Sequence, residues 1–86
     1  MSSAGPEAAH TQTVALFRRA AWEVAQKDLK DLSLEHQVSE LGLDSVAMLE
    51  VIGFLEEELD VNFPDDALAR VQTIRDLSSL VHQLQS

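Results

Sequence analysis

Apolar residues recur at helical spacing in three separate stretches of the chain. Over residues 13–28, Val14, Phe17, Ala20, Ala21, Val24 and Ala25 share one face of a helical wheel, with Arg18, Arg19, Glu23 and Gln26 on the other. This predicts a first helix from about Thr13 to about Asp28, capped by Thr11 or Thr13. Leu16 and Trp22 lie off the main stripe, and Trp22 is expected to pack against the following loop. Over residues 45–59, Met48, Val51, Ile52, Leu55 and Leu59 form an apolar face, with Val46, Glu50, Gly53 and Glu57 opposite and Glu56 and Leu49 at the boundary. Asp44 is the expected N-cap of this second helix. Pro64 announces a short third helix over about Asp65 to Arg70, with Asp65 and Asp66 favourably near its N-terminus. Ile74, Leu77, Val81 and Leu84 mark the last helix, which Thr73-Ile-Arg-Asp76 opens as a capping-box variant.

Between the first two helices the pattern lapses from Leu29 to Leu43. Leu32, Leu34, Val38 and Leu41 are spaced through this segment as internal anchors, and Gly42 supplies the turn that reverses the chain. Nothing alternates as a strand does. The expected fold is therefore all-α: a small four-helix bundle with a short third helix and a long loop between helices 1 and 2. Residues 1–10, small and polar with Gly5 and Pro6, read as a flexible tail, and 11–86 as one domain.

Composition narrows the chemistry. Eighty-six residues bury a modest core and leave little room for an enclosed active site. With no cysteine there is no disulfide, thiolate metal site or cysteine nucleophile. A formal charge of −9 argues against nucleic acid, whose phosphates demand clustered lysine and arginine. The distribution matters more than the total. From Asp31 to Ala69 there are eleven acidic residues and no lysine or arginine, a one-signed stretch suited to basic partners as well as to solubility. No segment has the length or apolarity of a membrane helix, and the first residues lack the pattern of a signal peptide. A cytoplasmic, monomeric protein without nucleic-acid or membrane binding is expected.

The residue best placed for chemistry is Ser45, at the first turn of the second helix. Unpaired backbone N–H groups and the helix dipole favour a negative group there, which suits a serine bearing a phosphate ester. It does not suit a nucleophile elbow, since Leu43 and Ala47 stand where glycines belong and no strand precedes. The histidines His10, His36 and His82 fall in the tail, the loop and the last helix, with nothing to gather them into a triad. The run Asp60-Val-Asn-Phe-Pro-Asp-Asp starts like a calcium loop, but Asp65 replaces the required glycine and Val71 the bidentate glutamate. Neither an enzyme nor a metal protein is expected. Taken alone, Asp44-Ser45 would favour a helix start with no further role.

The surrounding residues add a resemblance. Glu40-Leu-Gly-Leu-Asp-Ser45, Phe54-Leu-Glu-Glu-Glu-Leu-Asp60, Phe63-Pro-Asp-Asp66 and Thr73-Ile74 together resemble the acyl carrier proteins, over nearly all of the chain from about Val14. The resemblance implies that a phosphopantetheinyl transferase, using coenzyme A and Mg²⁺, attaches 4′-phosphopantetheine to Ser45. Acyl groups would then ride as thioesters on the arm's thiol, presented to acyl-loading and acyl-processing enzymes with basic docking patches. By position, Asp44, Val46, Glu50, Glu56 and Glu57 would form the recognition surface. Val46 stands where the family usually has leucine, Ala47 where fatty-acid carriers often have an acid, and Gly53 where they often have a larger apolar residue. These departures point toward polyketide or another specialised acyl pathway. The alternatives are a peptidyl or aminoacyl carrier, whose usual second glycine before the serine is missing here, and an unmodified acidic helical adaptor.

Overall fold

The computed structural model describes residues 6–85, with side chains placed from His10 onward. Four helices follow in order: α1 (Pro6–Ala25), α2 (Ser45–Leu59), α3 (Asp65–Leu68) and α4 (Ile74–Gln85), with a 3₁₀ turn at Val38–Glu40 inside the long loop. The expected all-α bundle is present, short third helix included.

Helix α1 departs from the expectation at both ends. It begins at Pro6, so Thr11 and Thr13 lie inside it and neither is its cap. Proline suits a first helical position because its missing N–H would have no partner there anyway, and no breaker separates Pro6 from Thr13. Residues 6–10, expected in a loose tail, are helical; residues 1–5 of that tail lie outside the described residues. At the other end the helix stops at Ala25 because Gln26 turns left-handed, φ 51°, and the Gln26 and Lys27 amides fold back on the Trp22 and Ala21 carbonyls.

The core lies where α1 packs on α4 and α2. Phe17, Val51, Leu55, Ile74, Leu77 and Val81 fill it, and Ala20 and Ala21 are fully buried, their small side chains letting the helices approach. Two polar residues are buried with them, Thr13 and Ser78. Ser78 is matched across the α1–α4 seam by His10, whose Nδ1 meets its hydroxyl. Among the described residues no buried side-chain nitrogen or oxygen lacks a hydrogen-bond partner, as a buried polar group requires.

The long loop is tied to the start of α4. Val38 donates its N–H to the Gln72 carbonyl at 2.8 Å, while the Ile74 and Arg75 amides donate to the carbonyls of His36 and Leu34, each at 3.0 Å. Those two amides would otherwise be unsatisfied at the helix N-terminus. The third is closed by the capping box: Asp76 N–H donates to Thr73 Oγ1, and Thr73 N–H to the Asp76 carboxylate, both at 3.1 Å. A loop this long survives in a small domain because its backbone groups have these partners.

Candidate functional site

The loop delivers the chain to α2 through Leu41, which is buried, and Gly42, which holds φ 75°. Glycine takes that left-handed conformation without steric cost. Asp44 then caps the helix: its backbone is extended, φ −78° and ψ 179°, and its carboxylate accepts the Ala47 N–H at 2.8 Å. Ser45 is thereby fixed as the first residue of α2, exposed to solvent. Its hydroxyl sits at the positive end of a fifteen-residue helix.

Beyond Ser45 the outward side of α2 carries two large apolar residues in water, Val46 at 65% and Leu49 at 72% exposure. Glu50 and Glu57 are exposed on the same helix. Glu56 behaves differently. It is half-buried, and its carboxylate accepts the Phe63 N–H at 2.8 Å, so it holds the turn after α2. Of the residues expected at a recognition surface, Asp44, Val46, Glu50 and Glu57 are displayed, and Glu56 is occupied by its own chain. The wheel set Leu49 at a boundary, yet it is the most exposed large apolar residue described. Its spacing of four from Ser45 was the available signal, because such residues are neighbours on a helix surface.

A groove of about 450 Å³ opens beside Ser45. Met48, Leu49 and Ile52 line it from α2, and Leu68 and Val71 from α3 and the turn after it. Among the described residues that line it, Asp44 and Ser45 alone are polar. The site is thus a displayed hydroxyl next to an apolar slot. His10 is engaged with Ser78 and His36 with Ser33, and neither lines the groove. Nothing here resembles a base aimed at the serine; the arrangement suits holding a group rather than activating one.

The residues present fit a phosphopantetheine arm. An exposed hydroxyl at a helix N-terminus suits the phosphodiester, and the adjoining slot suits the uncharged part of the arm or a short acyl chain.

Comparison with known proteins agrees with this geometry. The family model described as phosphopantetheine attachment site matches residues 16–81. The chain is similar to a probable acyl carrier protein of Caulobacter vibrioides, 34% identical over 67 residues that make up 78% of each chain. It is also similar to the actinorhodin polyketide synthase acyl carrier protein of Streptomyces coelicolor, 39% identical over 70 residues, 77% of this chain and 81% of that one. In three dimensions it resembles the acyl carrier protein of Thermotoga maritima, with a TM-score of 0.81, 26% identity, and 90% and 91% of the two chains covered.

Proposed function

The chain belongs to the phosphopantetheine-attachment family, among its acyl carrier proteins, and from that membership we propose that Ser45 is the residue that bears the arm. A carrier of this family is not a catalyst: it holds acyl groups on covalently attached 4′-phosphopantetheine and works through a phosphopantetheinyl transferase and biosynthetic enzymes. When bound, the arm supplies the thiol on which acyl groups are carried as thioesters. The observation that carries the assignment is the placement of Ser45: exposed, first in α2, held by the Asp44 cap and inside the matched segment. In attachment the Ser45 Oγ would form a bond to the pantetheine-side phosphorus of coenzyme A as the pyrophosphate P–O bond breaks, with adenosine 3′,5′-bisphosphate as the leaving group and the hydroxyl proton lost.

The docking surface of this reading is Asp44, Val46, Leu49, Glu50 and Glu57, an acidic rim around two exposed apolar residues beside Ser45. Partner enzymes with basic patches match its charge. Glu56 contributes charge to the same side while anchoring Phe63. The pathway read here is polyketide assembly, supported by the relative whose name places it in the actinorhodin polyketide synthase and by Val46, Ala47 and Gly53. A cytoplasmic monomer completes the reading, consistent with the fact that no described helix is long and apolar enough to cross a membrane.

Intact-mass measurement after incubation with coenzyme A and a broad-specificity phosphopantetheinyl transferase tests the assignment. One arm per chain is expected on the wild type and none on Ser45→Ala. A gain that survives Ser45→Ala, or no gain at all, removes Ser45 as the attachment site.

A further inference from the structure

Three large apolar side chains stand in water among the described residues: Val46, Leu49 and Trp22. The first two flank Ser45. Trp22, 55% exposed, does not pack away against the following loop as its sequence position suggested, and nothing in the carrier site uses it. It ends an outward stripe of α1 formed by Thr11, Ala15, Arg18 and Trp22, spaced four, three and four residues apart. Two surface depressions run along this stripe. One, of about 740 Å³, lies between α1 and the long loop and includes Val14, Leu34 and Arg75; the other, of about 400 Å³, includes Arg19, Trp22 and Asp28. Both are lined by Ala15 and Arg18, so they form one trough, and neither shares a residue with the groove at Ser45.

We propose that this trough is a second docking surface, which takes an acidic amphipathic segment of a partner protein. Three of the chain's four arginines border it, Arg18, Arg19 and Arg75, in a molecule whose formal charge is −9. Arg19 is held over the Phe54 ring at 5.8 Å, and Arg75 is paired with Glu35. Both are therefore positioned before a partner arrives, which lowers the ordering cost of binding. Arg18 has no ion-pair partner among the described residues. Asp28 is the acid that opposes them inside the trough, along with Glu35 beside Arg75. Tryptophan and arginine are the residue types enriched among those that carry binding energy at protein interfaces, and the trough sets Trp22 and Arg18 beside the apolar Val14, Ala15 and Leu34. A basic partner is matched instead by the exposed acids of α2, Glu50 and Glu57. A partner held on α1 would leave Ser45 and its groove uncovered, so the carrier could stay attached while the arm is served.

The proposal stands independently of Ser45, and the full chain with Ser45→Ala tests it equally well. Trp22 is the sole tryptophan and there is no tyrosine, so intrinsic emission reports on this surface alone. The probe is a labelled helical peptide of leucine and glutamate in heptad pattern, with a leucine–lysine counterpart as its opposite. The acidic peptide is expected to shift Trp22 emission saturably. By anisotropy, Arg18→Glu and Trp22→Ser, each checked for retained helicity, should weaken it about tenfold or more. Arg70→Glu, an equal charge change outside the trough, should leave binding unchanged. Equal binding of the lysine peptide, no saturable shift, or an Arg70→Glu effect as large as that of Arg18→Glu overturns the proposal. So does a Trp22 shift that appears only on concentrating the protein, which assigns the face to a second copy, or only with anionic phospholipid vesicles, which assigns it to lipid.

Discussion

The Glu56 carboxylate accepts the backbone N–H of Phe63 at 2.8 Å, bridging the turn that leaves α2. Just inside that turn, Asp60 is left-handed at φ 55°, and the Val61 N–H returns to the Glu56 carbonyl at 3.1 Å. Glu56 thus terminates the helix with both its backbone and its side chain. Phe63, which the bond positions, is a core residue.

Glu56→Ala should therefore destabilise the domain by about 1.5–3 kcal/mol, the range for a hydrogen bond to a charged group. Glu56→Gln keeps an acceptor and should recover part of that loss. Glu57→Ala, at an exposed position one residue on, should change stability by less than about 0.5 kcal/mol. Urea unfolding of the three variants measures the contrast; equal effects from Glu56→Ala and Glu57→Ala would show that the bond to Phe63 carries no weight.

The exposed acids should act on encounter instead. Glu50→Lys combined with Glu57→Lys is expected to slow acyl transfer by partner enzymes at low salt, with the gap to wild type closing as salt rises, because exposed charges are screened over a Debye length of about 10 Å at 0.1 M. Thermal melting should stay close to wild type. Unchanged transfer kinetics at low salt would remove the acidic face from the docking surface.

What the sequence made legible was whatever depends on local pattern. The inward face of α2, the turn at Gly42, the Asp44 cap and the Thr73–Asp76 box all follow from neighbours within a few residues, and the structure has each of them. What stayed hidden depends on partners far along the chain. His10 reads as a tail residue until Ser78, 68 positions away, is folded against it. Thr13 reads as a cap until α1 extends past it and the packed helices bury it. The wheel sets Glu57 outward and Glu56 at a boundary, but only the path of the turn to Phe63 makes Glu56 an anchor. The groove at Ser45 likewise needs Leu68 and Val71 brought beside α2, which no helical wheel contains.

Asp76 gives a test in pH. Its carboxylate is held below the ordinary value, first by the Gln72 backbone N–H and then by the Thr73 backbone N–H, against an opposing effect of burial and with a lesser contribution from the Thr73 side chain. A carboxylate whose pKa is lowered by folding contributes stability that is complete above its unfolded value, about 3.8, and is lost as pH falls through the folded value. Asp76→Asn should therefore be less stable than wild type at neutral pH, and the difference should shrink below about pH 4. Denaturant titrations across that range check it, and a difference that stays constant with pH would detach the capping box from the acid response.

Gly53 sits within α2 between two exposed acids, Glu50 and Glu57. The fold does not require a glycine there. Its φ is not positive, and a Cβ built on it meets nothing within 4 Å. Glycine in a helix interior is worse than alanine by about 0.8–1.0 kcal/mol, because the unfolded chain gains freedom that the helix must remove. Gly53→Ala should raise stability by about that amount, which for a domain of this size is a rise in Tm of about 4–8 °C per kcal/mol. The added methyl touches no core residue, so the gain should appear without any change in the helix content of the folded state. A Tm that falls would mean that α2 is more tightly approached at Gly53 than its open surroundings indicate.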